Sequence, residues 1–112
     1  MLSKENLIAA LAVRVEDVSV SGLADGLLIK IMSGYERDEF QKILQEKGIT
    51  DSAYFSALIA ATVVGEDDQP MFSSDEIDLL RGSHAELVRE IGLACQRVNG
   101  MGRKAVDDAE KN

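Results

Sequence analysis

From Ser52 to Val64 the chain reads SAYFSALIAATVV, an uncharged run in a sequence of which 29% of the residues are charged. The run falls short of the ~20 apolar residues that cross a bilayer. Its alanines and leucine favour a helix, and a helix apolar on nearly every side is stable only in the interior of a domain. The rest of the chain must therefore wrap around it. With 112 residues, the chain is long enough for one core and too short for two. A single globular domain is predicted over residues 1–102.

The wrapping elements follow from local patterns. Ser3 can cap a short helix that carries Leu7, Ile8 and Leu11 at helical spacing and ends by Val13. Val13, Val15, Val18 and Val20 then alternate, interrupted at Glu16 and Asp17 in a way that suggests a bulge. After SGLADG the alternation resumes with Leu27, Ile29 and Ile31. Residues 13–32 thus read as a β-hairpin, with Asp25-Gly26 supplying the positive φ values of its turn.

Three later segments, SGYE at Ser33, SSDE at Ser73 and SHAE at Ser83, match the capping box, in which serine and glutamate reciprocally satisfy the first free amides of a helix. The helix from Ser33 places Phe40, Ile43 and Leu44 on one face and Asp38, Lys42 and Glu46 at i,i+4 spacing on the other, and Gly48 ends it. The last helix aligns Leu87, Val88, Ile91, Ala94, Cys95 and Val98 before NGMG breaks it. The predicted fold class is α+β, predominantly α: one β-hairpin in the N-terminal half, packed against four or five short helices. Residues 103–112, RKAVDDAEKN, hold little to bury and are expected to form a polar tail, frayed or disordered.

Charge narrows the function. Twelve basic against twenty acidic residues give a net charge of −8, unsuited to a surface that must displace counterions from nucleic acid. One cysteine and one histidine supply neither a disulfide framework nor a Cys/His zinc site, and the N-terminus lacks the basic head and apolar run of a signal peptide. The acidic stretch GEDDQPMFSSDE fails as a calcium loop: counted from Asp67, Gln69, Met71 and Phe72 stand where ligands and a glycine are needed. It reads better as a solvated turn before a helix capped by Ser73, with Phe72 and Ile77 as a hydrophobic staple. His84 reads as a surface residue and Cys95 as a small core hydrophobe. No catalytic, metal or cofactor residues are expected, and the protein is not expected to be an enzyme.

The order of the segments adds a resemblance. A valine-rich hairpin ending LLIKIMSGYERDEFQKIL, an apolar helix leading into VVGEDDQPMFSSDEIDLL, and a closing helix ending CQRVNGMG together resemble the tail assembly chaperones of long-tailed bacteriophages. The likeness covers residues 13–102. It departs from the family pattern in lacking a glycine directly before the step to proline, where Asp68 and Gln69 stand. The resemblance implies a protein that binds the tape measure protein in the host cytoplasm, keeps it soluble, assists polymerisation of the tail tube around it, and is absent from the mature virion. It also implies two products, the present chain being similar to the short form and a frameshifted longer form reaching the tail tube protein.

A carrier of a long helical partner works through repeated shallow contacts, so self-association into a homo-oligomer is expected. Tyr35, Arg37, Arg89 and Arg97, on the helix from Ser33 and on the last helix, are the candidate partner-binding residues. Two other readings compete: an acidic inhibitor mimicking nucleic acid, and a small enzyme subunit using Glu66, Asp67 and Asp68.

Overall fold

The computed structural model describes residues 1–101, in which the elements run α1 (Lys4–Ala10), β1 (Val15–Val18), β2 (Leu27–Lys30), α2 (Gly34–Lys47), α3 (Asp51–Thr62), β3 (Val63–Val64), a 3-10 turn (Ser74–Glu76), α4 (Ile77–Arg81) and α5 (Ala85–Val98). The fold is α+β and predominantly helical, and the polar segment predicted at 103–112 lies outside the described residues. The uncharged run forms α3, which packs against α2, α4 and α5. Ala53, Ala57 and Leu58 are fully buried in it, as a helix apolar all round requires.

The sheet differs from the two-stranded expectation. Its order is β1-β2-β3, all antiparallel. The third strand is Val63-Val64, predicted as the end of the helix; these two β-branched residues leave α3 and pair with Ile29 and Leu28. Pairing places Ile29, Val63, Leu27 and Val18 on the face that joins the core. No bulge interrupts β1, whose residues pair one for one with β2. The reversal between these strands is also wider than a two-residue turn. Gly22, not Gly26, takes the left-handed conformation, with φ 99°. At Gly26 a Cβ would meet the Asp17 carboxylate, the free end of an exposed side chain that can turn aside.

Two of the three predicted capping boxes form where expected. At Ser33 the hydroxyl accepts from the Glu36 amide at 3.2 Å while Glu36 accepts from the Ser33 amide at 2.9 Å. At Ser73 the Glu76 carboxylate accepts from the serine amide at 2.9 Å. Phe72 just before it packs on the core that includes Ile77. The third box shifts by one residue. The Ser83 hydroxyl donates to the Leu79 carbonyl at 2.8 Å, and His84 becomes the cap, its Nδ1 accepting from the Leu87 amide at 3.2 Å. His84 is therefore a helix cap as well as an exposed residue.

The Asp38, Lys42 and Glu46 ladder on α2 forms no ion pair among the described residues. Three ion pairs join separate elements, Lys30 with Glu36, Lys47 with Asp78, and Arg89 with Asp51, and a fourth joins Arg81 to Asp78 within α4. Burial pushes the Glu36 carboxyl up, but hydrogen bonds from Lys30 and Ser33 and the lysine charge outweigh it and hold the group below its ordinary value of 4.5. A carboxyl depressed on folding contributes stability above its unfolded pKa and loses it as the pH falls through the folded one. Urea unfolding should therefore show Glu36→Gln less stable than the parent at pH 7, with the gap closing below about pH 4.

Candidate functional site

The acidic stretch is a closed turn. Val63 and Met71 are joined by a 3.0 Å backbone hydrogen bond, Gly65 donates to Gln69 at 2.9 Å, and Val64 bridges to Pro70. Asp68 adopts φ 64°, the left-handed conformation that glycine takes most easily and aspartate tolerates. The turn thus closes with an aspartate in the left-handed conformation. The Asp67 carboxylate accepts from the Gln69 amide at 3.1 Å, and Glu66, Asp67 and Asp68 are exposed. Among the described residues no three acidic, histidine or cysteine side chains gather as metal ligands would. Cys95 is fully buried; burial pushes its thiol up to about 11, against smaller opposing effects of Thr62, its own backbone and Arg97. A thiol so held stays protonated and unreactive at neutral pH.

The four candidate partner-binding residues do not share one patch. Tyr35 stands 90% exposed in the first turn of α2. Arg37, two positions on and so directed to another side of the helix, donates to the Asn99 carbonyl at 3.1 Å. This contact brings Arg37 to the end of α5 where Arg97 is exposed. Arg89 lies about 12 Å farther back along α5. Its guanidinium is 3.4 Å from Asp51 and 5.7 Å from the centre of the Phe55 ring. There it rims a hollow of about 210 Å³ floored by Phe55, Leu80 and Val88. Arg37 and Arg89 are thus engaged within the chain, and Tyr35 and Arg97 are the more available pair.

A feature absent from the sequence reading lies at the N-terminus. α1 forms as expected, with the Ser3 hydroxyl accepting from the Asn6 amide at 3.1 Å, yet none of its residues is buried. Its stripe is uncovered: Leu7 is 45%, Ile8 58% and Leu11 71% exposed. Helical spacing announced the stripe, but whether anything covers it depends on the tertiary arrangement. A groove of about 240 Å³ is likewise unannounced; it lies between α2, the end of α3 and the segment after the acidic turn, lined by Phe40, Ile43, Ala60, Ala61 and Phe72, with Glu39 at its rim. No helix among the described residues is long and apolar enough to cross a membrane. No family model matches the chain, and neither a curated protein nor a solved structure matches it.

Proposed function

We propose that the chain is the short form of a bacteriophage tail assembly chaperone, which acts by binding rather than by chemistry. On this reading it holds the tape measure protein soluble in the host cytoplasm while the tail tube assembles, and it is left out of the finished virion. The tail tube protein is engaged by a longer product that shares these residues. The reading starts from the resemblance of residues 13–102, and one structural observation carries it further. The described residues close a core around α3 yet leave the apolar side of α1 bare, so this surface suits a contact with another polypeptide. Tyr35 and Arg97 belong to residue types that dominate protein contacts. They are proposed to meet the partner at separate points, while Arg37 and Arg89 are held within the chain by Asn99 and Asp51.

Co-expression with a tape measure protein encoded by the same phage tests the reading. The partner should move from the pellet to the soluble fraction and co-purify, and the double variant Tyr35→Ala, Arg97→Glu should return at least half of it to the pellet. Equal insolubility with and without the chain would refute the reading.

A further inference from the structure

We propose that α1 of one copy docks into the groove between α2, α3 and Phe72 of a second copy of this chain. Seven residues make a helix too short to persist by itself in water, where roughly 12–15 are needed. A partner must therefore cover α1 for it to remain a helix. The nature of the cover follows from charge. Residues 1–14 contain Lys4, Arg14 and Glu5, a side-chain charge of +1, so the remainder of a chain of net charge −8 carries −9. α1 itself is neutral, Lys4 balancing Glu5, with Arg14 already in the lead-in to β1, so it can approach the acidic body of a second copy without net repulsion, and Lys4 is the cation on its apolar face.

The match extends to single residues. Lys4, Leu7, Ile8 and Leu11 follow the i, i+3, i+4, i+7 spacing of one helical face, so the cation stands at the end of the apolar stripe. The groove repeats that arrangement with opposite charge: Phe40, Ile43, Ala60, Ala61 and Phe72 form its apolar lining, and Glu39 stands at its rim. The other rim carboxylate, Glu36, is held by Lys30, whereas Glu39 makes no ion pair among the described residues. The alanines keep the floor shallow, leaving room for leucine and isoleucine side chains from outside.

One arm in one groove buries less than the ~1,600 Å² of a standard stable interface. The association is therefore weak for an isolated pair and strengthens where copies are held close together, as along one extended partner. The inference rests on the reading of α1 as a contact element and specifies what it contacts. It does not depend on the identity of the carried protein.

Sedimentation equilibrium of the full chain provides the test. The average mass should rise with concentration above the 12.2 kDa of one copy. Leu7→Glu, a change at an exposed position, should weaken association about tenfold or more. Lys4→Glu and Glu39→Lys should each weaken it about threefold to fivefold, and combining the two reversals should restore it. Three results would overturn the proposal: a mass fixed at one copy, including the case where α1 folds onto its own body and its amides become protected; association untouched by Leu7→Glu; or charge reversals that fail to compensate. A chain that stays single yet solubilises its tape measure protein would remove this inference and leave the carrier reading intact. Association with the partner still in the pellet would do the reverse.

Discussion

Gly92→Ala should destabilise the domain by about 1–3 kcal/mol although alanine is the better helix former. Gly92 is buried in α5 where that helix crosses α3. A Cβ at this position would lie 2.3 Å from Phe55 Cδ1, 2.7 Å from Cγ and 2.8 Å from Cβ. Ring atoms can rotate away, but the Phe55 Cβ is fixed by the α3 backbone, so relief requires the two helices to separate. That separation loosens the contacts of Val88, Ala94 and Cys95 with the central helix, and close-packed interiors tolerate such shifts poorly. The propensity gain of alanine over glycine, about 1 kcal/mol, offsets only part of the cost. Chemical denaturation should show a lowered midpoint with an unchanged slope. Gly34→Ala is the control: its Cβ meets nothing within 4 Å, so stability should change by less than about 0.5 kcal/mol. Equal stability of the Gly92→Ala protein and the parent would mean that the helices do not cross as closely as described.

Features encoded within one continuous stretch of chain are legible in the sequence. The interior position of α3 followed from its lack of charge, and the Ser33 and Ser73 starts followed from serine and glutamate three residues apart. Features that need a distant partner are not. β3 is a strand because Val63 and Val64 meet Ile29 and Leu28, and nothing near Val63 announces that pairing. Arg37 and Arg89 read as candidate partner contacts because Asn99 and Asp51, which engage them, lie 62 and 38 residues away in sequence. The shift of a cap from Ser83 to His84 has a local cause that the pattern hid: the end of α4 offers the Leu79 carbonyl, which engages the serine hydroxyl. Ser56 is buried in α3 with no hydrogen-bond partner among the described residues, and neither sequence nor packing explains a polar group there. The candidate site divided in the same way. The apolar stripe of α1 was visible as a period, whereas its exposure and the groove that complements it exist only once α2, α3 and Phe72 are assembled.

Asn99→Ala should cost about 2–4 kcal/mol, far more than expected of a residue that the sequence presents merely as a helix stop. The Asn99 Oδ1 accepts from the Met32 amide at 2.8 Å, and its Nδ2 donates to the carbonyls of Lys30 at 3.1 Å and Cys95 at 3.0 Å. One side chain thus fastens the end of β2 and the approach to α2 onto the last turn of α5, and the contact of Arg37 with the Asn99 carbonyl reinforces the same joint. Alanine would leave the amide of the buried Met32 unpaired, and an unmade buried hydrogen bond costs more than a made one contributes. Asn99→Asp separates this account from simple loss of packing. The carboxylate can still accept from Met32, but its second oxygen would face two carbonyl oxygens, so the ionised form is disfavoured and the folded-state pKa is raised. A group raised on folding contributes stability below its unfolded pKa and loses it as the pH rises through the folded value. Relative to the parent at the same pH, Asn99→Asp should therefore be as unstable as Asn99→Ala at pH 7 and recover near pH 4. If the deficit of the aspartate variant is the same at both pH values, the amide donor is not what holds the sheet to α5.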